Sequence, residues 1–151
     1  LTVRDTLPQT TVETIRDLGI TEVTVVGGEV AVSPAVVEEL RGLGVTVDRV
    51  SGPDRFATSV EVAELARSAG MSPHDVFVAT GLTFPDALVA GPAVATAGGT
   101  LVLVHGGDAA GAQASMDWFG TVTGEVGQVW FLGGDTAVAP SVRDAVRDVL
   151  G

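Results

Sequence analysis

Residues 23–36 read VTVVGGEVAVSPAV, and residues 129–142 read VWFLGGDTAVAPSV. Both copies fit one pattern, V-x-x-[VL]-G-G-[ED]-x-A-V-x-P-x-V. A self-echo that repeats a hydrophobic run, a glycine pair, an acid and a proline marks a chain cut from a tandem array. Each copy also has a local reading. A short apolar run predicts a strand, the glycine pair a tight turn, and the proline the first turn of a helix, where its missing N–H costs nothing.

Outward from the echo, strand-like runs alternate with helical patterns. Strands are predicted at 22–26, 45–50, 76–80, 100–104 and 128–132, with a stub at 1–3. Helices are predicted at 10–18, 34–43, 55–69, 85–97 and 140–150, with a weaker one at 109–119. Such alternation predicts a mostly parallel sheet covered by helices on both faces. The strands are almost wholly apolar, as a sheet buried on both sides requires. Ser33 and Thr83 are the expected caps of two helices. In the helix at 34–43, Val36, Val37, Leu40 and Leu43 form one stripe, and Gly44 stops it.

The helix at 85–97 is apolar all round and built from small residues. Such a helix is expected to be buried on every side, with a neighbouring module or subunit covering what the sheet does not. Pro92 in its interior is expected to kink or interrupt it, at about 3 kcal/mol if forced straight.

Composition narrows the function. The 151 residues carry 8 basic and 19 acidic side chains, a net charge of −11. That excess argues against nucleic acid, whose binding rests on neutralising phosphates, and against an anionic membrane surface. All the basic residues are arginines, and cysteine is absent, which removes disulfides, thiolate nucleophiles and cysteine metal sites. Residues 76–107 are apolar enough to raise a membrane span, but Pro85, Asp86, Pro92 and the Gly98-Gly99 break argue against it. No stretch reads as a signal peptide, and a chain beginning at Leu1 reads as an excised fragment.

Two further motifs precede the second echo and not the first: GPDRFAT at 52–58 and TGLTFPDAL at 80–88. With FLGGDTAVAP at 131–140 they stand in order over about a hundred residues. This series resembles the cell-wall-binding repeat type 2 family. The chain is thus expected to hold the C-terminal half of one repeat at residues 1–49 and a complete repeat at 50–151, packed as a single continuous α/β unit. With the alternation of elements, the expected fold class is α/β, a mostly parallel β-sheet with helices on both faces, in a Rossmann/Toprim-like three-layer sandwich. The resemblance implies a non-catalytic module of a secreted Gram-positive surface protein. It would be extracellular, held on the cell wall by an anionic polysaccharide, and packed against neighbouring repeats or further copies of itself. The family usually carries three repeats, whereas this chain has about one and a half.

Ligands of parallel α/β sheets bind outside the carboxyl ends of the strands. Residues 27–29, 51–55, 80–86 and 133–135 all follow a predicted strand and precede a helix. The candidate ligand-binding residues are therefore Gly27, Gly28, Asp54, Arg55, Thr80, Asp86, Gly133 and Gly134. For the glycines the competing reading, a tight strand-to-helix joint, is favoured. Asp86 is the only acid in its apolar stretch, and an unpaired buried carboxylate is costly. An Arg55–Asp86 ion pair is the favoured reading. The alternatives are that Asp86 bonds the first amides of its own helix, or that Arg55 is free to grip a phosphate or carboxylate.

A magnesium-dependent enzyme would use Glu29, Asp135 and Asp86 as oxygen ligands, and an assembly module would bind no glycan at all. These remain the alternatives to wall binding. No cofactor or metal is expected: His74 and His105 are isolated, and no serine lies in a nucleophile-elbow context. Trp118 and Trp130 are expected to pack internally or to stack on sugar.

Overall fold

The structure is a computed structural model that describes residues 1–151. Its elements run in the order α1 (Gln9–Asp17), β1 (Glu22–Val26), α2 (Pro34–Gly42), β2 (Thr46–Val50), α3 (Arg55–Ser68), β3 (Asp75–Thr80), α4 (Pro85–Ala97), β4 (Thr100–Val104), a 3-10 turn (Ala109–Ala112), α5 (Gln113–Val122), β5 (Gln128–Phe131) and α6 (Pro140–Leu150). Every expected strand and helix except the stub at 1–3 is present. The chain divides into two compact units, Leu1–Pro53 and Asp54–Gly151.

All strand pairing is parallel, as the alternation predicts, but the strands form two sheets rather than one. The apolar faces of each unit close on residues of that same unit.

In the first unit β1 pairs with β2, Val23 opposite Val47. Ile15 of α1 and Val36, Val37 and Leu40 of α2 share one core with Val25 and Val45. In the second unit the order is β4-β3-β5. β3 is the central strand, and from Val76 to Thr80 it is buried throughout. Val76 and Val78 face a core built from α3, α5 and α6, including Ala63, Phe119, Val142 and Val146. Phe77, between them, faces Ala90 and Val94 of α4. The second unit is thus a three-layer α/β/α sandwich.

Local expectations fail in three places. Thr83 does not cap α4, whose first turn follows Phe84, and Ser33 precedes α2 without a side-chain cap bond, its Oγ buried and unpaired. α3 is the helix with a true cap, Asp54, whose Oδ1 accepts the Ala57 N–H at 2.8 Å. Pro92 does not interrupt α4. The Leu88 carbonyl that loses its helical partner belongs to an exposed residue, where water can serve it.

A network unforeseen in the sequence ties α3 to α5. Glu64 accepts the buried Trp118 indole N–H at 2.6 Å, and Arg67 bridges Glu64 and Glu125 at 2.9 and 2.7 Å. The Trp118 bond first, and Arg67 second, hold the Glu64 carboxyl below its ordinary value of 4.5. A lowered folded-state pKa contributes stability that is complete above 4.5 and is lost as pH falls through the lowered value. Urea midpoints measured across that acid range should fall more steeply for the native chain than for Glu64→Gln. Parallel profiles would show that the network is not coupled to stability.

Candidate functional site

The sheet of the second unit changes direction at β3. The chain passes from β3 to β4 on one side, then returns to place β5 on the other. In parallel sheets such a switch point opens a crevice at the carboxyl ends of the strands. Thr80 and Gly81 leave β3 at that end, and Gly133 follows β5. Asp86, in the first turn of α4, packs against Gly133: a Cβ there would lie 2.6 Å from Asp86 Oδ2 and 2.7 Å from the Ala137 Cβ. With φ +84°, Gly133 also holds a backbone conformation that side chains disfavour. The carboxylate therefore stands directly over bare backbone.

The Arg55–Asp86 ion pair is not formed. Arg55 Nη1 instead donates to the Gly81 carbonyl at 2.6 Å. Gly81 sits under Arg55 and Phe56, where a Cβ would meet the Phe56 ring at 2.7 Å and the Arg55 side chain at 3.2 Å. The carbonyl released at the end of β3 thus takes the guanidinium before Asp86 can. Nor does Asp86 cap its own helix. Thr80 is buried, and its Oγ1 accepts the Leu82 N–H at 3.2 Å. Asp54 is exposed and committed to capping α3. Arg55, Thr80, Asp86, Gly133 and Gly134 therefore meet at one end of this unit, while Gly27 and Gly28 occupy the matching place in the first.

The two glycine loops are built alike. Gly28 O accepts the N–H groups of Ala31 and Val32 at 2.9 Å, and Gly134 O those of Ala137 and Val138 at 2.9 and 3.1 Å. A guanidinium closes each loop. In the first unit Arg49 of β2 donates to the carbonyls of Gly27 and Val32. In the second, Arg143 of α6 donates to the matching carbonyls of Gly133 at 3.0 Å and Val138 at 2.8 Å. The same two acceptors are thus satisfied by arginines from different elements. Neither arginine was a sequence candidate, because no fixed spacing from the glycines marks them. The Gly28 and Gly134 carbonyls thus tie each strand-to-helix joint to the residues that precede its helix.

Most of the arginines are spent on carboxylates. Five of the eight arginines pair with carboxylates: Arg4, Arg41, Arg67, Arg143 and Arg147. Arg16, Arg49 and Arg55 do not. Asp135 lies 3.5 Å from Arg143, and Glu29 is exposed. No three acidic or imidazole side chains come together in a group that could hold a metal ion.

Within this chain the sheet buries Ala90 and Val94 of α4, while Leu88 and Val89 of the helix and Phe84 just before it are 69%, 77% and 75% exposed, on the side for which a neighbouring module is expected. The sheet has one face for this helix, and its opposite side stands in solvent. Trp118 is buried, whereas Trp130 is half exposed, stacked on Phe77 at 6.2 Å between ring centres. Its indole donates to Asp75 at 3.3 Å. No helix is long and apolar enough to cross a membrane.

Three ordered motifs on one α/β/α sandwich, with the last of them echoed earlier in the chain, define the class of a repeat module. The chain belongs to the cell wall binding domain 2 family, whose model matches residues 49–143. Among solved structures it is similar to Cwp6 from Clostridium difficile, with a TM-score of 0.82 and 20% identity over 96% of this chain and 22% of that one. It is also similar to Cwp8 from Clostridium difficile, with a TM-score of 0.73 and 28% identity over 96% of this chain and 24% of that one. It therefore spans about a quarter of the length of those proteins. No curated protein matches it.

Neighbouring glycines should respond oppositely to a methyl group. Gly133→Ala meets both a disfavoured φ and the Asp86 carboxylate, and should cost about 2–4 kcal/mol. Gly134→Ala meets open space and should stay within about 0.5 kcal/mol of the native chain. Urea denaturation of the two variants checks the difference; equal losses would contradict the packing described.

Proposed function

We propose that this chain is a non-catalytic module that holds a secreted bacterial surface protein on the cell wall by binding an anionic wall polysaccharide. The carrying observation is the family match across the complete motif series. Residues 1–49 are then the second half of one repeat and residues 50–151 a complete one. The attached activity of the whole protein lies outside this module.

A chain of net charge −11 repels an anionic polymer at long range, so attraction must be local. Arg55 supports such a contact best. It is exposed, it begins α3 at the carboxyl end of the sheet, and it has no carboxylate partner; its one hydrogen bond, to the Gly81 carbonyl, leaves its charge uncompensated. A guanidinium so placed can pair with a phosphate or carboxylate of the polymer through charge-assisted hydrogen bonds. Thr80, Asp86 and Gly133 shape the floor beside it. Gly27, Gly28, Asp54 and Gly134 contribute by holding loops rather than by touching ligand.

The exposed Phe84, Leu88 and Val89 favour a companion role, packing against neighbouring repeats or further copies, because a contiguous apolar patch with no cover marks an interaction surface. Assembly and wall binding then act together, since several weak sites on one polymer multiply retention.

Sedimentation with purified cell walls tests the binding reading. Arg55→Ala leaves the buried Gly81 carbonyl without its donor and should lose about 1–3 kcal/mol of stability while staying folded, and the folded variant should lose about tenfold or more in wall affinity. Binding by the native chain should weaken with added salt, as exposed charge pairs do. An unchanged affinity in a well-folded Arg55→Ala variant would remove Arg55 from the site. Failure of the native chain to sediment, with a multimeric mass in solution, would leave the assembly role alone.

A further inference from the structure

The amino end of the second unit's sheet carries a group of side chains remote from the crevice at its carboxyl end. Asp75 pairs with Gln128, and Phe77 with Trp130, across β3 and β5. Residues two apart on a strand share a face, so these four side chains stand on one face of the sheet. Phe77 is buried against α4, and the half-exposed Trp130 ring lies alongside it, 17° from parallel. The polar edge of the indole is tied down. Its Nε1 donates to Asp75 Oδ1 at 3.3 Å, and His74 Nδ1 lies 3.1 Å from Asp75 Oδ2. His74 in turn is seated on Gly127, where a Cβ would overlap the imidazole. Gln128 is exposed, and its side-chain amide bonds to nothing in the chain. All these contacts run inward to β3, not to the outer edge of β5. Thr24, the counterpart of Trp130 in the echo, is exposed although β1 is paired with β2 on that edge. The exposure of Trp130 thus belongs to the face of the sheet.

We propose that Trp130, with Asp75, Gln128 and His74 at its rim, is a subsite for one neutral pyranose ring of a polysaccharide. This rests on the reading of the chain as a wall-polysaccharide module and adds a second point of contact to it. A pyranose presents a flat C–H face and a rim of hydroxyls, and the site offers a match for each. The indole supplies a large apolar face, and its bonds hold it in place, so little freedom is lost on binding. A few polar groups around an apolar floor fix a ligand's orientation. Each Asp75 oxygen keeps a lone pair free to accept a hydroxyl proton, and the Gln128 amide both donates and accepts. His74 first, and the indole second, hold the Asp75 carboxyl below its ordinary value of 3.8. It is therefore a charged acceptor at neutral pH, and that charge turns away phosphate and carboxylate groups. The occupant is neutral for this reason, whereas Arg55 prefers an anionic group. The six residues of β3 set the two ends of the sheet about 17 Å apart, so one extended polymer can meet both.

NMR titration of the isotope-labelled chain tests the subsite, with the buried Trp118 indole as internal reference. The probes are polysaccharide released from purified cell walls and, separately, methyl glycosides of glucose, galactose, mannose and N-acetylglucosamine. The Trp130 indole and Gln128 side-chain signals should shift saturably with the polysaccharide and with at least one glycoside, while Trp118 stays still. The shift should persist at high salt, where exposed charge pairs fade. Trp130→Ala should weaken polysaccharide binding about tenfold or more, and Trp130→Phe, which keeps a flat face, should weaken it less. Gln128→Ala, which removes no bond within the fold, should weaken it about threefold. A Trp130 signal that ignores both kinds of probe would overturn the proposal, as would unchanged affinity in folded Trp130→Ala and Gln128→Ala variants. So would a signal that follows protein concentration instead of sugar, since the face would then be a contact between copies. Sedimentation with walls and a silent Trp130 would remove the subsite alone. A Trp130 that answers glycosides, in a chain that ignores walls, would keep the subsite and remove the wall reading.

Discussion

The parallel pairing of β3 on both of its edges is the constraint on which the second unit depends. A strand bonded on two sides and packed on two faces has no solvent-facing choice left. From Val76 to Thr80 every residue is buried, and the helices must divide between the faces that these side chains define. That division brings α4 over Phe77 and sets α3, α5 and α6 over Val76 and Val78. It also makes the connection after β4 return past β3, which creates the switch point where Thr80, Asp86 and Gly133 meet. The crevice is a consequence of strand order.

The loops at that end are governed by backbone carbonyls as much as by side chains. A strand that ends inside a protein releases acceptors that need donors. Gly81 obtains Arg55, Gly133 and Val138 obtain Arg143, and Gly27 and Val32 obtain Arg49. Arginine suits this task because its planar fork can satisfy two carbonyls at once and stays charged at any relevant pH. In an acidic chain with no lysine, guanidinium groups are the scarce resource. Those used to close loops contribute to shape, while Arg55 retains one side open to solvent.

Legibility in the sequence followed the range of the interaction. Strands and helices were readable because hydrophobic runs, prolines and glycines act over a few residues, and the motif series was readable because it is contiguous in blocks. The Arg55–Asp86 pair was not, because the competing acceptor is a main-chain carbonyl that any residue at position 81 would supply. Arg49 and Arg143 escaped for a similar reason: they serve equivalent carbonyls from a strand in one unit and a helix in the other. Composition reports that α4 is apolar on every side, whereas only the structure shows which side the sheet covers. Phe84 and Val89 are apolar and bare.

The sequence by itself determined the repeat, the alternation of elements and the parallel sense of the sheets, since each arises from patterns that local sterics and hydrophobic periodicity translate directly. Only the tertiary structure decided that the strands divide into two sheets and which carbonyls the arginines close. Hydrogen bonds between strands join backbone groups that every residue carries alike. Their partners are therefore set by which surfaces pack together in space, a choice that no single stretch of sequence contains.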